Sequence, residues 1–325
     1  MVRCGVILSP VQRGQTPGPD NPPMRVAILG FGLIGGSIAR ALALRAGGDW
    51  SVAAWSPGGD GPRAAAADGS IDLAAPDPGK AVAGADVVVL AAPPLACLDL
   101  LESLAGPLRD SLSQDAIVTD VASTKRRIVE RAAALGLPFV GGHPMAGRES
   151  TGYGAADAAL FAERPWVICA DGAPAKRVNL VERLARATGG RPVRMSAEAH
   201  DAAVAAISHL PLVVSAALVE AVSGIRGTEP DPDWPAARAL AASGWRDMTR
   251  LAQGDPAMGA GIAATNEDAL ASRVRALRSA LGGWLEELER RGGPDPVRLE
   301  ARFAAVRAVL VPGEPAADER LSNDP

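Results

Sequence analysis

Aromatic side chains are scarce in this chain. They make up 3% of its 325 residues, with a single tyrosine. The packing of any core therefore falls to alanine, leucine and valine. Cysteine is equally sparse. Cys4, Cys97 and Cys169 are widely separated and form neither a CxxC pair nor an even set. This excludes a disulfide framework and suits a reducing cytoplasm. No cluster of metal-ligand residues is found. Nor is there an excess of positive charge: the formal net charge is -4, so nothing global favours nucleic acid or an anionic membrane as a partner. No signal-peptide core is found, because the apolar run Val6-Ile7-Leu8 is too short. Residues 202–222 are apolar over a bilayer's span, but Ser208, His209 and Pro211 interrupt them and His200, Asp201 and Glu220 flank them. A helix buried in a domain core or at a dimer interface is expected.

Hydrophobic residues account for 48% of the chain, enough for a sizeable core, and its length suggests two domains. Residues 1–23, rich in Pro and Gly, read as a disordered leader, with Met24 a candidate start. Residues 312–325 read as a disordered tail. Between them, residues 24–195 alternate strand and helix patterns. Strands are predicted at 24–29, 51–55, 85–91, 116–119 and 139–140, with edge strands at 166–170 and 192–194. Helices are predicted at 33–46, 95–104, 124–135 and 174–188. The run Ala-Asp-Val-Val-Val-Leu-Ala from Ala85 is the pattern of a parallel strand covered on both faces. The alternation predicts an α/β, doubly wound parallel sheet. From Ser196, a plausible N-cap, to residue 311 only helices are expected, forming a second domain.

The first strand runs into Gly30-Phe31-Gly32-Leu33-Ile34-Gly35. Gly30 permits a tight turn, Gly32 lets backbone approach a pyrophosphate, and Gly35 lets helix and strand pack closely. The amides of Leu33 and Ile34 open the helix toward the phosphates. Strand, glycines, helix and second strand together define a Rossmann-type dinucleotide site. Ser56, at the end of the second strand, and Pro93, beyond the central one, complete the expected cofactor set. No Asp or Glu follows the second strand until Asp60. Ser56 suits a hydroxyl or a phosphate and Arg63 a 2′-phosphate, so the pattern leans to NADP, or to both cofactors.

Downstream, Gly141-Gly142-His143-Pro144-Met145-Ala146-Gly147 places a histidine on a predicted glycine-rich turn. A histidine there is suited to proton transfer near neutral pH. Lys125 reads as a solvated helix residue, Ser123 as an N-cap, and His200 as a structural residue near a helix start. Pro211 removes a backbone donor, freeing the Ile207 carbonyl and predicting a bend.

GFGLIGGS from Gly30, TDVASTK from Thr119, GGHPMAG from Gly141, HD at His200, SHLP from Ser208 and WRDMTR from Trp245 follow in order. Together they resemble the prephenate/arogenate dehydrogenase family of tyrosine biosynthesis over residues 24–310. The resemblance implies a cytoplasmic, homodimeric enzyme with an all-helical dimerisation domain. It would use NAD or NADP to oxidise and decarboxylate prephenate to 4-hydroxyphenylpyruvate, or arogenate to tyrosine. It implies His143 as general base, Ser123 orienting it or the substrate hydroxyl, and Arg250 gripping a substrate carboxylate. Asp247 would hold Arg250, and His209 would line the cleft. Two positions depart from the family pattern: Arg148, a candidate contact to a carboxylate or phosphate or a partner of Glu149 in solvent, and Gly259, where an aromatic ring is common. Another Rossmann-plus-helical dehydrogenase or imine reductase acting on a small acid would need a catalytic Lys-Asn pair or a different acid on the first long helix, and the sequence shows neither. A catalytically silent nucleotide-sensing module is the non-enzymatic alternative.

Overall fold

The computed structural model describes residues 22–310 except 47, 149 and 226–231. Nearly all of the expected leader, the expected tail and Glu149 lie outside the described residues. The described residues fall into two compact units that divide after Leu270.

In the first unit, eight strands form one sheet: β1 Met24–Leu29, β2 Trp50–Trp55, β3 Leu73–Ala74, β4 Val87–Leu90, β5 Ile117–Asp120, β6 Phe139–Pro144, β7 Pro165–Cys169 and β8 Arg191–Met195. Their order is β3-β2-β1-β4-β5-β6-β7-β8. Strands β1 to β6 pair in parallel, β6 meets β7 antiparallel, and β7 meets β8 in parallel. The β3-to-β6 half has the doubly wound dinucleotide-binding order. Side chains alternate between its two faces. Val26, Ile28, Val87 and Val89 enter one apolar cluster, and Ala27, Leu29, Val88 and Leu90 the other. Both faces are covered, which is why β4 reads as an unbroken apolar run.

The helices on the sheet are α1 Leu33–Arg45, α2 Asp60–Ala67, α3 Pro78–Val82, α4 Pro94–Ala105, α5 Arg126–Ala134 and α6 Ala175–Ala187. Ile38, Leu42, Val181 and Leu184 of α1 and α6 fill the first cluster, and Val82, Leu101 and Ile128 of α3, α4 and α5 the second. After β8 the described chain is helical: α7 Ala197–Val204, α8 Leu210–Ser223, α9 Trp234–Ala239, α10 Ser243–Thr249, α11 Pro256–Thr265, α12 Glu267–Leu288 and α13 Pro296–Leu310. Ser196 caps α7, its hydroxyl accepting from the Ala199 N–H at 3.1 Å, as expected. At Pro211 the break takes the form of a π-helical turn over Ala205–His209, which joins α7 to α8. In the second unit, Arg298 pairs with Glu287, and Arg302 stacks on Trp284 at 4.0 Å.

Several sequence expectations change. His143 lies within β6, not on a turn, and registers with Val167 of β7. The glycines before it belong to the strand because Cys169 and Ile168 of β7 pair with Gly141 and Gly142. Strand β7 is interior, with only β8 at that edge. The helix of residues 197–223 is not buried in a core: Ile207 is 70% exposed, and few residues of α8 are covered in the single chain. Ser123 does not cap α5. That helix starts at Arg126, and its first donors go to Asp201 of α7, with Lys125 N–H to Oδ1 at 2.8 Å and Arg126 N–H to Oδ2 at 2.9 Å.

Lys125 is not solvated. Its side chain is 0% exposed and its ammonium pairs with the equally buried Asp120 at the end of β5. Asp120 also accepts from the Gly142 and Ala122 N–H groups, both at 3.1 Å. Burial pushes this carboxyl upward in pKa, against the pull of the ammonium and the two amides. Removing one partner of such a pair strands the other charge. Lys125→Met is therefore expected to cost about 3–5 kcal/mol in urea unfolding. The double variant with Asp120→Asn should cost less than that single change, and an equal or larger cost for the double variant would contradict the pairing.

Candidate active site

The end of β1 forms a cradle. Gly30 has φ +91°, and a Cβ there would sit 2.4 Å from the Ala91 carbonyl oxygen. A Cβ on Gly35 would meet the Gly30 oxygen at 2.5 Å, so α1 is pressed against the turn. Gly32 differs: nothing lies within 4 Å of its Cβ position. Gly32 also caps α1 without a side-chain bond. The N–H groups of Leu33, Ile34 and Gly35, the first of the helix, have no intrahelical acceptors. An open backbone surface at a helix N-terminus fits a dinucleotide pyrophosphate.

At the end of β2, the Ser56 carbonyl accepts from Gly59 N–H at 3.0 Å and closes a turn. Arg63, the candidate for a 2′-phosphate, folds back onto Asp60 at 2.5 Å and the Gly58 carbonyl at 3.2 Å. Pro93 precedes α4, and its carbonyl accepts from Cys97 N–H at 2.9 Å.

Since β1, β4, β5 and β6 are parallel, Gly30, Pro93, Ser123 and His143 all follow or approach the same ends of their strands. That edge is where doubly wound sheets bind ligands. His143 is partly exposed. Its Nδ1 lies 2.8 Å from His200 Nε2, and His200 Nδ1 lies 2.8 Å from Asp201 Oδ1. Gly142 has to be glycine, since a Cβ would meet the Asp120 carbonyl oxygen at 2.6 Å. Burial holds the His143 pKa well below the ordinary value, helped by His200, Lys125 and His209. The ring is thus neutral, as a proton acceptor must be.

His209, in the π-turn, is fully buried. Its Nδ1 lies 3.1 Å from Asn266 Nδ2, an amide donor, which makes Nδ1 the acceptor. Nε2 then carries the hydrogen and meets no acceptor in good hydrogen-bond geometry among the described residues, although the Ser123 backbone comes close enough to favour a proton on the ring. Burial lowers this ring to about 4. An orphaned buried donor is rare in native structures and marks a group that a ligand or a water satisfies. Asn266 also donates to the Asp201 carbonyl at 2.9 Å. His200, Asp201 and Asn266 thus join the site. The HD pair was the visible signal for two of them; nothing in the sequence pointed to Asn266.

Arg250 and Asp247 are exposed at and just before the end of α10, and no ion pair joins them among the described residues. Arg148 pairs with Asp157 at 2.6 Å. A Cβ on Gly259 of α11 would have Leu212 as its nearest neighbour, at 3.9 Å, so space is open there.

Residues 40–194 match the family described as prephenate dehydrogenase, nucleotide-binding domain, and residues 196–294 match prephenate dehydrogenase, dimerization domain. A prephenate dehydrogenase of Bacillus subtilis is 33% identical over 271 residues, 82% of this chain and 68% of that protein. The structure of prephenate dehydrogenase from A. aeolicus, in complex with hydroxyphenyl propionate and NAD+, is similar at TM-score 0.76 and 27% identity, covering 89% of this chain and 98% of that one. Synechocystis arogenate dehydrogenase is similar at TM-score 0.69 and 32% identity, covering 89% and 100%. With the glycine cradle and the histidine-bearing edge of the sheet, these matches place the chain in the prephenate dehydrogenase family of NAD(P)-dependent oxidoreductases.

Proposed function

We propose that this chain oxidatively decarboxylates prephenate to 4-hydroxyphenylpyruvate, with His143 as general base. The observation that carries the assignment is an imidazole that β6 delivers to the sheet edge where the glycine cradle opens, linked through His200 to the buried Asp201 carboxylate. Held by Gly30, Gly32, Leu33, Ile34 and Gly35, with Ser56 and Pro93 on the neighbouring strand ends, NAD+ or NADP+ supplies the hydride acceptor. His143 takes the substrate's hydroxyl proton as hydride leaves the same carbon. The bond to the ring carboxylate then breaks, CO2 departs, and that electron pair makes the ring aromatic. The proton returns to the product's oxygen.

Ser123 orients the hydroxyl or the base, and the His209 Nε2–H meets substrate or cofactor. Arg250 grips a carboxylate through its planar fork, with Asp247 three residues before it holding the guanidinium, and Arg148 offers a separate cationic contact to an acid group. Arogenate, giving tyrosine, is the second reading, favoured by the likeness to the Synechocystis enzyme. The functional division falls between residues 195 and 196. The apolar outer face of α8, with Ile207 exposed before it, is the surface of a homodimer. Two buried free thiols, Cys97 and Cys169, accord with the cytoplasm.

Three outcomes are expected. His143→Asn lowers kcat by about 10²–10⁴-fold while cofactor titration is unchanged; near-full turnover would remove His143 from the chemistry. Because its pKa is depressed, His143 stays unprotonated below pH 6.5. The acid limb of kcat/KM, measured with prephenate and with arogenate against each cofactor, should therefore fall below that value. A limb at or above pH 7 would contradict a depressed base. Sedimentation at micromolar concentration should give a dimer, and a monomer would refute the assignment of the α8 face.

A further inference from the structure

We infer that Asp201 and His200 are positioning residues that decide which nitrogen of His143 carries the proton. The inference rests on the reading of His143 as the base, and deepens it. Asp201 is buried and receives three donors. Lys125 N–H and His200 Nδ1 meet its Oδ1, both at 2.8 Å, and Arg126 N–H meets its Oδ2 at 2.9 Å. The two amides are the opening donors of α5 and have no choice of role. A carboxylate so held accepts only, so the hydrogen between Asp201 and His200 belongs to His200 Nδ1. A neutral imidazole with Nδ1–H has a bare Nε2. That bare atom lies 2.8 Å from His143 Nδ1, so the hydrogen of this second contact belongs to His143. Its Nε2 is then left with a lone pair, the form a base needs. Histidine in water prefers the opposite tautomer, with Nε2 protonated. The pair thus spends two buried hydrogen bonds to hold the minor form.

The arrangement also sets the response to pH. The groups around His143 are His200 and Asp201 on α7, Asp120 at the end of β5, Lys125 just before α5, His209 in the π-turn, and Cys169 on β7, whose thiol burial pushes up to about 12 and so stays neutral. Lys125, His200 and His209 disfavour a proton on His143. Asp201 is the remaining anion that steadies a proton on the linked rings.

The chain has three histidines, so ring ¹⁵N resonances can be assigned by comparing wild type with His143→Asn and His209→Gln. In wild-type enzyme the His143 ring should be protonated at Nδ1. In His200→Ala it should switch to Nε2, with kcat down on the order of 10²-fold and KM and cofactor affinity unchanged. His200→Gln, whose amide oxygen can still accept from His143, should retain kcat within about fivefold of wild type, a rescue expected if accepting that one hydrogen bond is the role. Asp201→Asn should lower the plateau and move the acid limb of kcat/KM to lower pH, since an anion favouring the protonated ring is gone. A packing defect would lower the plateau without moving the limb.

An Nε2-protonated His143 in the wild type overturns the inference, whatever the variants do. So does a His143 tautomer unaltered by His200→Ala, or a His200→Gln enzyme as poor as His200→Ala. If His143→Asn kept its turnover, the assignment of the base would fall instead, and the wild-type spectrum would still report the tautomer.

Discussion

The carboxylate of Asp201 ties the two kinds of structure in this chain together. It lies on the first helix after the sheet, yet it satisfies the opening donors of α5, a helix of the sheet layer. A helix start buried without such an acceptor would leave N–H groups unpaired, each at a cost comparable to a lost hydrogen bond. The same carboxylate meets His200, which meets His143. One anion therefore closes a helix, docks α7 and orders the imidazole chain. Thr124 and Thr265, 2.7 Å apart and buried, reinforce the docking from α11, and Arg127 does so through the Ala264 carbonyl at 2.5 Å.

The buried pair of Lys125 and Asp120 works beside it. Two charges withdrawn from water gain little net stability against an apolar substitute. Their geometric effect is clearer. Asp120 gathers the backbone donors of Ala122 and Gly142, so the segment after β5 and the start of the histidine-bearing stretch of β6 share one acceptor. Residues 121–125 are thus shaped by a side chain at each end, and Ser123 is carried between them.

Much of the sheet was legible in the sequence. The β-branched run at β4, the glycines after β1 and the strand–helix alternation each follow from local backbone preference and burial. The site was partly legible: its glycines and His143 stood out because their chemistry is unusual for their surroundings. What stayed hidden depends on partners far along the chain. The pairing of β6 with β7 turns an expected glycine loop into strand. Lys125 looks like any surface cation until Asp120 is placed beneath it. The α5 cap comes from 75 residues away, where a neighbouring Ser123 seemed sufficient. Short β3 and helices α2 and α3 carry too few apolar positions to announce themselves.

The π-turn of residues 205–209 has a geometric consequence. In an uninterrupted α-helix each residue advances about 100°, so His200 and His209 would point to opposite sides, about 180° apart. A π-turn accommodates one residue more than an α-turn, which takes back about 100° and leaves the two rings about 80° apart. Both then face inward, and both are buried. Asp201 and His209 come nearly into line, which is how a single Asn266 amide reaches the backbone of one and the ring of the other. The extra residue works as an angular correction: it lets one continuous rod keep its polar groups on the inner side while its apolar stripe continues outward.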